Sequence, residues 1–135
     1  MCMKILRNFM ICLIIFFMLL LSGCGGDIES GEQAFQRCIS CHSMKPQLNY
    51  TGPSLASILN RKAGTAEGFN YSRAVKTSGI VWTVENLDTW LTNPQAFIPG
   101  TKMEFEGIPD PEVRAELIAI LKLKTVLPIE SEGLP

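Results

Sequence analysis

Histidine occurs once in the 135 residues, at His42, so no pair of imidazoles can share a metal. A structural zinc site takes four ligands, and the sequence groups no second histidine or cysteine cluster that would complete one. Basic charge is scarce as well: twelve Lys and Arg stand against thirteen Asp and Glu, a formal net charge of −1. Nucleic acid is therefore not an expected partner, since its phosphates call for a basic face. No stretch alternates polar and apolar residues with period two and no segment repeats, which argues against a sheet or a solenoid. A permanent membrane span is the weaker reading of the apolar residues. The longest apolar stretch, Phe9 to Leu21, has 13 residues, whereas a helix needs roughly 20 to cross the hydrocarbon.

That stretch has another use. Lys4 and Arg7 precede it and Leu21-Ser22-Gly23-Cys24 closes it with small residues, the layout of an export signal. The ending resembles the lipobox of bacterial lipoproteins, which implies cleavage after Gly23 and a lipid anchor on Cys24. Two or three acyl chains make such attachment stable, at about 0.8 kcal/mol per buried CH₂. The alternative is ordinary cleavage near Gly23, releasing a soluble exported protein. Without residues 1–23 the chain keeps ten basic and thirteen acidic side chains, near −3, and only Met44 and Met103 of its six methionines.

Residues 24–29 read as anchor and tether, 30–127 as one domain, and 128–135 as a disordered tail. Ser30 with Gln33 forms a capping-box pattern that opens a helix running to about Cys41. Ser54 to Asn60 is expected to make a short helical turn, with Leu55, Ile58 and Leu59 on one side. A small helix is expected from Ser72 to Ser78, ending at Gly79. Thr83 caps another in which Leu87, Trp90 and Leu91 recur at i, i+3, i+4. Asn93-Pro94 stops that helix. Pro94 to Pro109 reads as a long irregular loop, and loops of that length in small domains usually carry function. Asp110-Pro111 opens a last helix with Val113, Leu117, Ile120 and Leu121 as its apolar stripe. The expected fold class is all-α. Short helices and so long a loop leave little core to offset the ordering entropy, so a flat apolar cofactor should fill the centre.

Cys38-Ile39-Ser40-Cys41-His42 names that cofactor, because C-x-x-C-H is the attachment run of c-type haem. On a helix, positions i, i+3 and i+4 share a face, so two thiols can meet the porphyrin edge while the imidazole reaches the iron. Zinc and a bare disulfide beside an idle histidine are the competing readings. With no other histidine, the second axial ligand falls to a methionine. Met44 lies too close to His42 to reach the opposite face, whereas Met103 sits in the irregular loop behind Pro99, Gly100 and Thr101. A core-filling thioether, or an open or lysine-ligated iron, remains open as an alternative for Met103.

From about Gly31 to Thr125 the chain resembles the class I, mitochondrial-type cytochrome c family and its bacterial relatives. The matching stretches are Gly31 and Phe35 ahead of the cysteines, Gly52-Pro53-Ser54-Leu55, Arg61-Lys62-Ala63-Gly64, and Gly68-Phe69-Asn70-Tyr71-Ser72. They continue in Trp82, Asn93-Pro94 and Pro99-Gly100-Thr101-Lys102-Met103. The resemblance implies the cytochrome c fold, with short helices wrapped around one haem c held through Cys38 and Cys41. It implies His42 and Met103 as iron ligands, and a crossing of the first and last helices at Gly31, Phe35 and Leu117. It places the Pro53 carbonyl on the His42 ring N–H and gives Tyr71, Trp82 and Arg61 hydrogen bonds to the propionates. Leu55, Thr101 and Phe105 complete the implied cofactor-binding set. Without the family, Trp82 and Trp90 read as core, and Arg61 with Lys62 as a solvated pair.

The chain also departs from the family pattern. Trp90 stands where a tyrosine is frequent and Val75 where an asparagine is frequent, which implies a drier Met103 environment. Gln95, Ala96, Pro109 and Asp110 replace surface lysines, and Glu104 and Glu106 flank Met103, leaving Lys102 and Arg37. Steering toward an acidic partner should therefore be weak, and a lipid anchor can replace it by confining the protein to the membrane plane.

The expectation is a membrane-anchored monohaem electron carrier on the periplasmic or outer side of a bacterial membrane, monomeric and not an enzyme. It would serve respiratory or photosynthetic complexes, such as a cytochrome bc-type donor and a terminal oxidase or reductase. The rivals are a peroxidase or gas sensor with a labile Met103 bond, and a subunit fixed in a larger complex.

Overall fold

The computed structural model describes residues 29–126, so the leader at 1–23, Cys24 and the tail at 128–135 lie outside the described residues. Five helices follow in order: α1 Gly31–Ile39, α2 Arg73–Thr77, α3 Val84–Thr92, α4 Pro94–Phe97 and α5 Pro111–Val126. Among the described residues the only β pairing is an isolated bridge between Lys62 and Val81.

The helix starts follow from side-chain caps. Ser30 Oγ accepts from Gln33 N at 3.3 Å while Gln33 Oε1 accepts from Ser30 N at 2.8 Å, so both halves of the capping box form. Ser72 accepts from Val75 N, and Thr83 from Asn86 N. Asp110 Oδ1 accepts from Glu112 N at 2.8 Å, just ahead of Pro111. Each cap satisfies a backbone N–H that the first helical turn leaves without a partner.

The centre of the fold is the crossing of α1 over α5, the most extensive helix–helix contact. Gly31 makes it possible. A Cβ there would overlap Glu116 Cβ and stand 2.8 Å from Leu117 N, and the Gly31 N–H donates to Glu116 Oε2 at 2.8 Å. Phe35 and Leu117 are buried beneath the crossing with Ala34, Val113, Ile118 and Leu121. Leu87, Trp90 and Leu91 bring α3 to the same core, at the spacing expected of them.

Three expectations need correction. Ser54 to Asn60 is a run of turns, not a helical turn, with Ser57 and Asn60 at φ 53° and 60°. The Arg61 guanidinium takes the carbonyls of Ser54 and Ala56, at 2.7 and 2.8 Å, that a continuing helix would use. Second, the loop expected from Pro94 begins as a four-residue helix. Asn93 ends α3 and also caps α4, accepting from Ala96 N at 3.0 Å, with Pro94 at the first helical position. Third, the buried stripe of α5 is turned from the expected one. Val113, Arg114, Leu117, Ile118 and Leu121 are buried, while Ile120 is only half-buried at the margin.

Candidate functional site

The chain leaves α1 in a turn that sets the three residues of the attachment run together. Cys41 N and His42 N both donate to Cys38 O, at 3.1 and 2.9 Å, continuing the helical path one turn past Ile39. Cys38 is half-buried and Cys41 exposed, and no disulfide joins them. Burial pushes the Cys38 thiol up to about 11, more than nearby Arg37 lowers it.

His42 is held from one side. Its Nδ1 lies 2.6 Å from Pro53 O, which fixes that nitrogen as the N–H donor and leaves Nε2 with the lone pair a metal needs. Among the described residues Nε2 makes no hydrogen bond. Burial lowers the pKa of His42, opposed by the Pro53 bond and helped by the Arg61 charge. The imidazole is thus neutral at pH 7, as ligation requires. Gly52 backs the ring so tightly that a Cβ would overlap His42 Cε1 and lie 2.6 Å from Nδ1. Its own N–H donates to Cys41 O at 2.8 Å. Pro53 is steadied by its neighbour Ser54, whose N–H donates to Asn49 Oδ1 and whose hydroxyl donates to Lys45 O.

Met103 sits in the segment 98–110. Gly100 turns the chain at φ 88°, Thr101 N donates to Ile98 O, and Thr101 Oγ1 accepts from Met103 N at 3.3 Å. The Gln95 amide reaches across from α4 to the carbonyls of Thr101 and Met103, 3.2 Å from each. Met103 and Phe105 are half-buried against the core, as are Cys38, Leu55 and Tyr71. Two thiols and an imidazole set together by one turn, in a domain whose core margin carries half-buried apolar side chains, fit a flat apolar group with one metal. That donor chemistry is what haem c requires.

Tyr71 is half-buried, and its phenol oxygen accepts from Ala66 N at 3.3 Å; burial raises its pKa, opposed by that bond and by Arg61. Trp82 is buried and meets Trp90 edge-on at 5.2 Å. Trp90 in turn meets Phe97 at 6.5 Å, and Val75 is buried, so apolar groups occupy both departures from the family pattern. Arg37 pairs with Glu29 at 2.7 Å and lies over the Phe105 ring. Three contributors escaped sequence reasoning: Gly52 as the backing of His42, Gln95 as a strap on the methionine segment, and Arg114.

No family model matches the chain. Relatives do. Cytochrome c type-1 of Ascaris suum is 46% identical over 105 residues, covering 77% of this chain and 94% of that protein. Cytochrome c2 of Blastochloris viridis is 47% identical over 97 residues, covering 71% and 76%. The solved structure of cytochrome cH from Methylobacterium extorquens superposes with a TM-score of 0.65 at 42% identity, over 73% of this chain and 99% of that one.

The chain belongs to the class I cytochrome c family. As a cytochrome c it has that family's fold, binds one haem c covalently through Cys38 and Cys41, and transfers electrons rather than catalysing a reaction. The haem, when bound, supplies an iron that gains and gives up one electron. The chain's own residues orient the His42 ring through the Pro53 carbonyl and lower its pKa by burial.

Proposed function

We propose that this cytochrome is exported, lipid-anchored and monomeric, with its iron held by His42 and Met103. It shuttles single electrons between respiratory or photosynthetic complexes, from a cytochrome bc-type donor to a terminal oxidase or reductase. Support for the ligand assignment comes from two sets of fastenings: the Pro53 carbonyl on the single histidine, and the Thr101 hydroxyl and Gln95 amide on the segment bearing Met103. A neutral thioether favours the reduced iron and so a relatively high potential. With both axial positions filled by protein, small molecules have no ready access and little rearrangement accompanies electron transfer. Arg61, Tyr71 and Trp82 would serve the propionates, and Pro53, Leu55, Thr101 and Phe105 would line the ring.

Residues 1–23 would be the leader, 24–29 the anchor and tether, 30–127 the cytochrome domain and 128–135 a tail. Support for the anchor is the basic start at Lys4 and Arg7, the short apolar stretch and the small residues before Cys24. On a bacterial membrane, confinement to the surface would compensate for a face that lacks a lysine ring. Fractionation of cells expressing the full chain tests this. The protein should sediment with membranes and be released by detergent but not by 1 M salt, an ionic strength that leaves a Debye length of about 3 Å. Cys24→Ser should move it to the soluble exported fraction with an unchanged haem spectrum. A soluble parent protein, or a Cys24→Ser variant still bound to membranes, would remove the anchor from the account.

A further inference from the structure

The amino-terminal part of segment 98–110 is fixed by Thr101 and Gln95, but its other end has a different fastening. Ile108 N donates to Leu91 O at 2.8 Å, and Gly107 passes so close to α3 that a Cβ would overlap Thr92 O. Arg114, one turn into α5, reaches the same place. Its Nη1 donates to Ile108 O and Pro109 O, both at 2.9 Å, while Nε donates to Asp88 Oδ1 at 2.7 Å and Nη2 lies 3.5 Å from Asp88 Oδ2. One guanidinium thus ties α3, the end of the methionine segment and α5.

The site is an expensive place for a charge. Arg114 is 8% exposed and lies among Val113, Leu117 and Leu121 on the buried face of α5, where a leucine would pack without desolvation. Its partner Asp88 is less buried, with a side chain 44% exposed. What an apolar residue could not do is hold two consecutive carbonyls and a carboxylate in one rigid plane. A lysine could not hold all three either, since its single nitrogen is a point charge on a flexible stem.

We propose that Arg114, paired with Asp88, is a positioning residue for Met103: it locks the Ile108–Pro109 end of the segment and so keeps the thioether on the iron. The proposal rests on Met103 being the ligand. Because the amino-terminal part keeps its own fastenings and the other end keeps only the Ile108 N–Leu91 O bond, loss of the clamp loosens that end without unfolding the helices.

Imidazole added to the oxidised holoprotein probes this directly. It reaches the iron only when Met103 has left, so its apparent dissociation constant falls as the open fraction rises. Arg114→Lys should bind imidazole about tenfold more tightly than the parent protein, equivalent to ~1.4 kcal/mol, and Asp88→Asn several-fold more tightly. In both, heating should abolish the near-infrared methionine–iron band well before the helical circular dichroism is lost. The exposed Lys122→Gln on the same helix should leave both readouts unchanged. If Arg114→Lys does not accumulate, Asp88→Asn at the half-exposed partner decides the matter alone. Imidazole affinity equal to the parent's, with band and helices lost together, overturns the clamp while leaving the ligand assignment standing. A parent protein with no methionine–iron band fails at the ligand itself, and the clamp falls with it.

Discussion

Met103→Ala is expected to open the iron to exogenous ligands and to lower the reduction potential by a large share of the roughly 0.8 V that axial ligands span. The thioether is a neutral ligand that stabilises the reduced state, and alanine offers nothing in its place. Carbon monoxide should then bind the reduced protein, and the near-infrared methionine–iron band should vanish from the oxidised one. The fold should survive, because Met103 is only half-buried at the margin of the core. Met44→Ala is the matched control. Met44 is likewise half-buried against the core, two residues beyond His42, and its loss should leave potential, band and carbon monoxide response unchanged. Ligand binding by the Met44 variant and not by the Met103 variant would exchange their roles.

The largest loss of stability is expected from Gly31→Val. Its Cβ would meet the Glu116 Cβ and the backbone N of Leu117, and Leu117 is fully buried. Overpacking typically costs 1–3 kcal/mol. Here the obstacle is partly main chain, so a value at the top of that range, about 3 kcal/mol, is expected. For a domain of this size that corresponds to a fall in Tm of roughly 12–24 °C. Thermal unfolding followed by circular dichroism measures it. A drop below about 4 °C would mean that α1 and α5 slide apart cheaply, and that the crossing is not what holds the termini of the domain together.

The chemistry of the site was more legible than its scaffolding, for a physical reason. The attachment run is local: Cys38, Cys41 and His42 are brought together by one helical turn. The caps at Ser30, Ser72, Thr83 and Asp110 are equally local, each joined to a backbone N–H two or three residues on. What sequence reasoning missed depended on partners elsewhere. Leu55, Ile58 and Leu59 have helical spacing, but Arg61 takes the carbonyls a helix would use. Asn93-Pro94 read as a stop because a proline hinders what precedes it, while the same pair begins α4. Ile120 was given the place of Ile118, because the burial of Arg114 draws the core-facing arc of α5 past the apolar residues alone. The Asp88 that makes this burial tolerable is 26 positions away, beyond the reach of any periodicity.

Gln95, where the resemblance implies a surface lysine, instead straps the carbonyls of Thr101 and Met103. Arg37, one of the two remaining cations near the site, is engaged by Glu29 and lies over Phe105. Both changes point away from long-range attraction as the means of finding a partner.

The central claim, a closed iron site between His42 and Met103 that passes electrons and admits no small ligand, is tested most directly by one optical experiment. The purified holoprotein is oxidised and reduced through several cycles, its near-infrared spectrum recorded, and carbon monoxide added to the reduced form. The account predicts a methionine–iron band in the oxidised protein, complete reversibility and no response to carbon monoxide. A missing band together with ready carbon monoxide binding would contradict it.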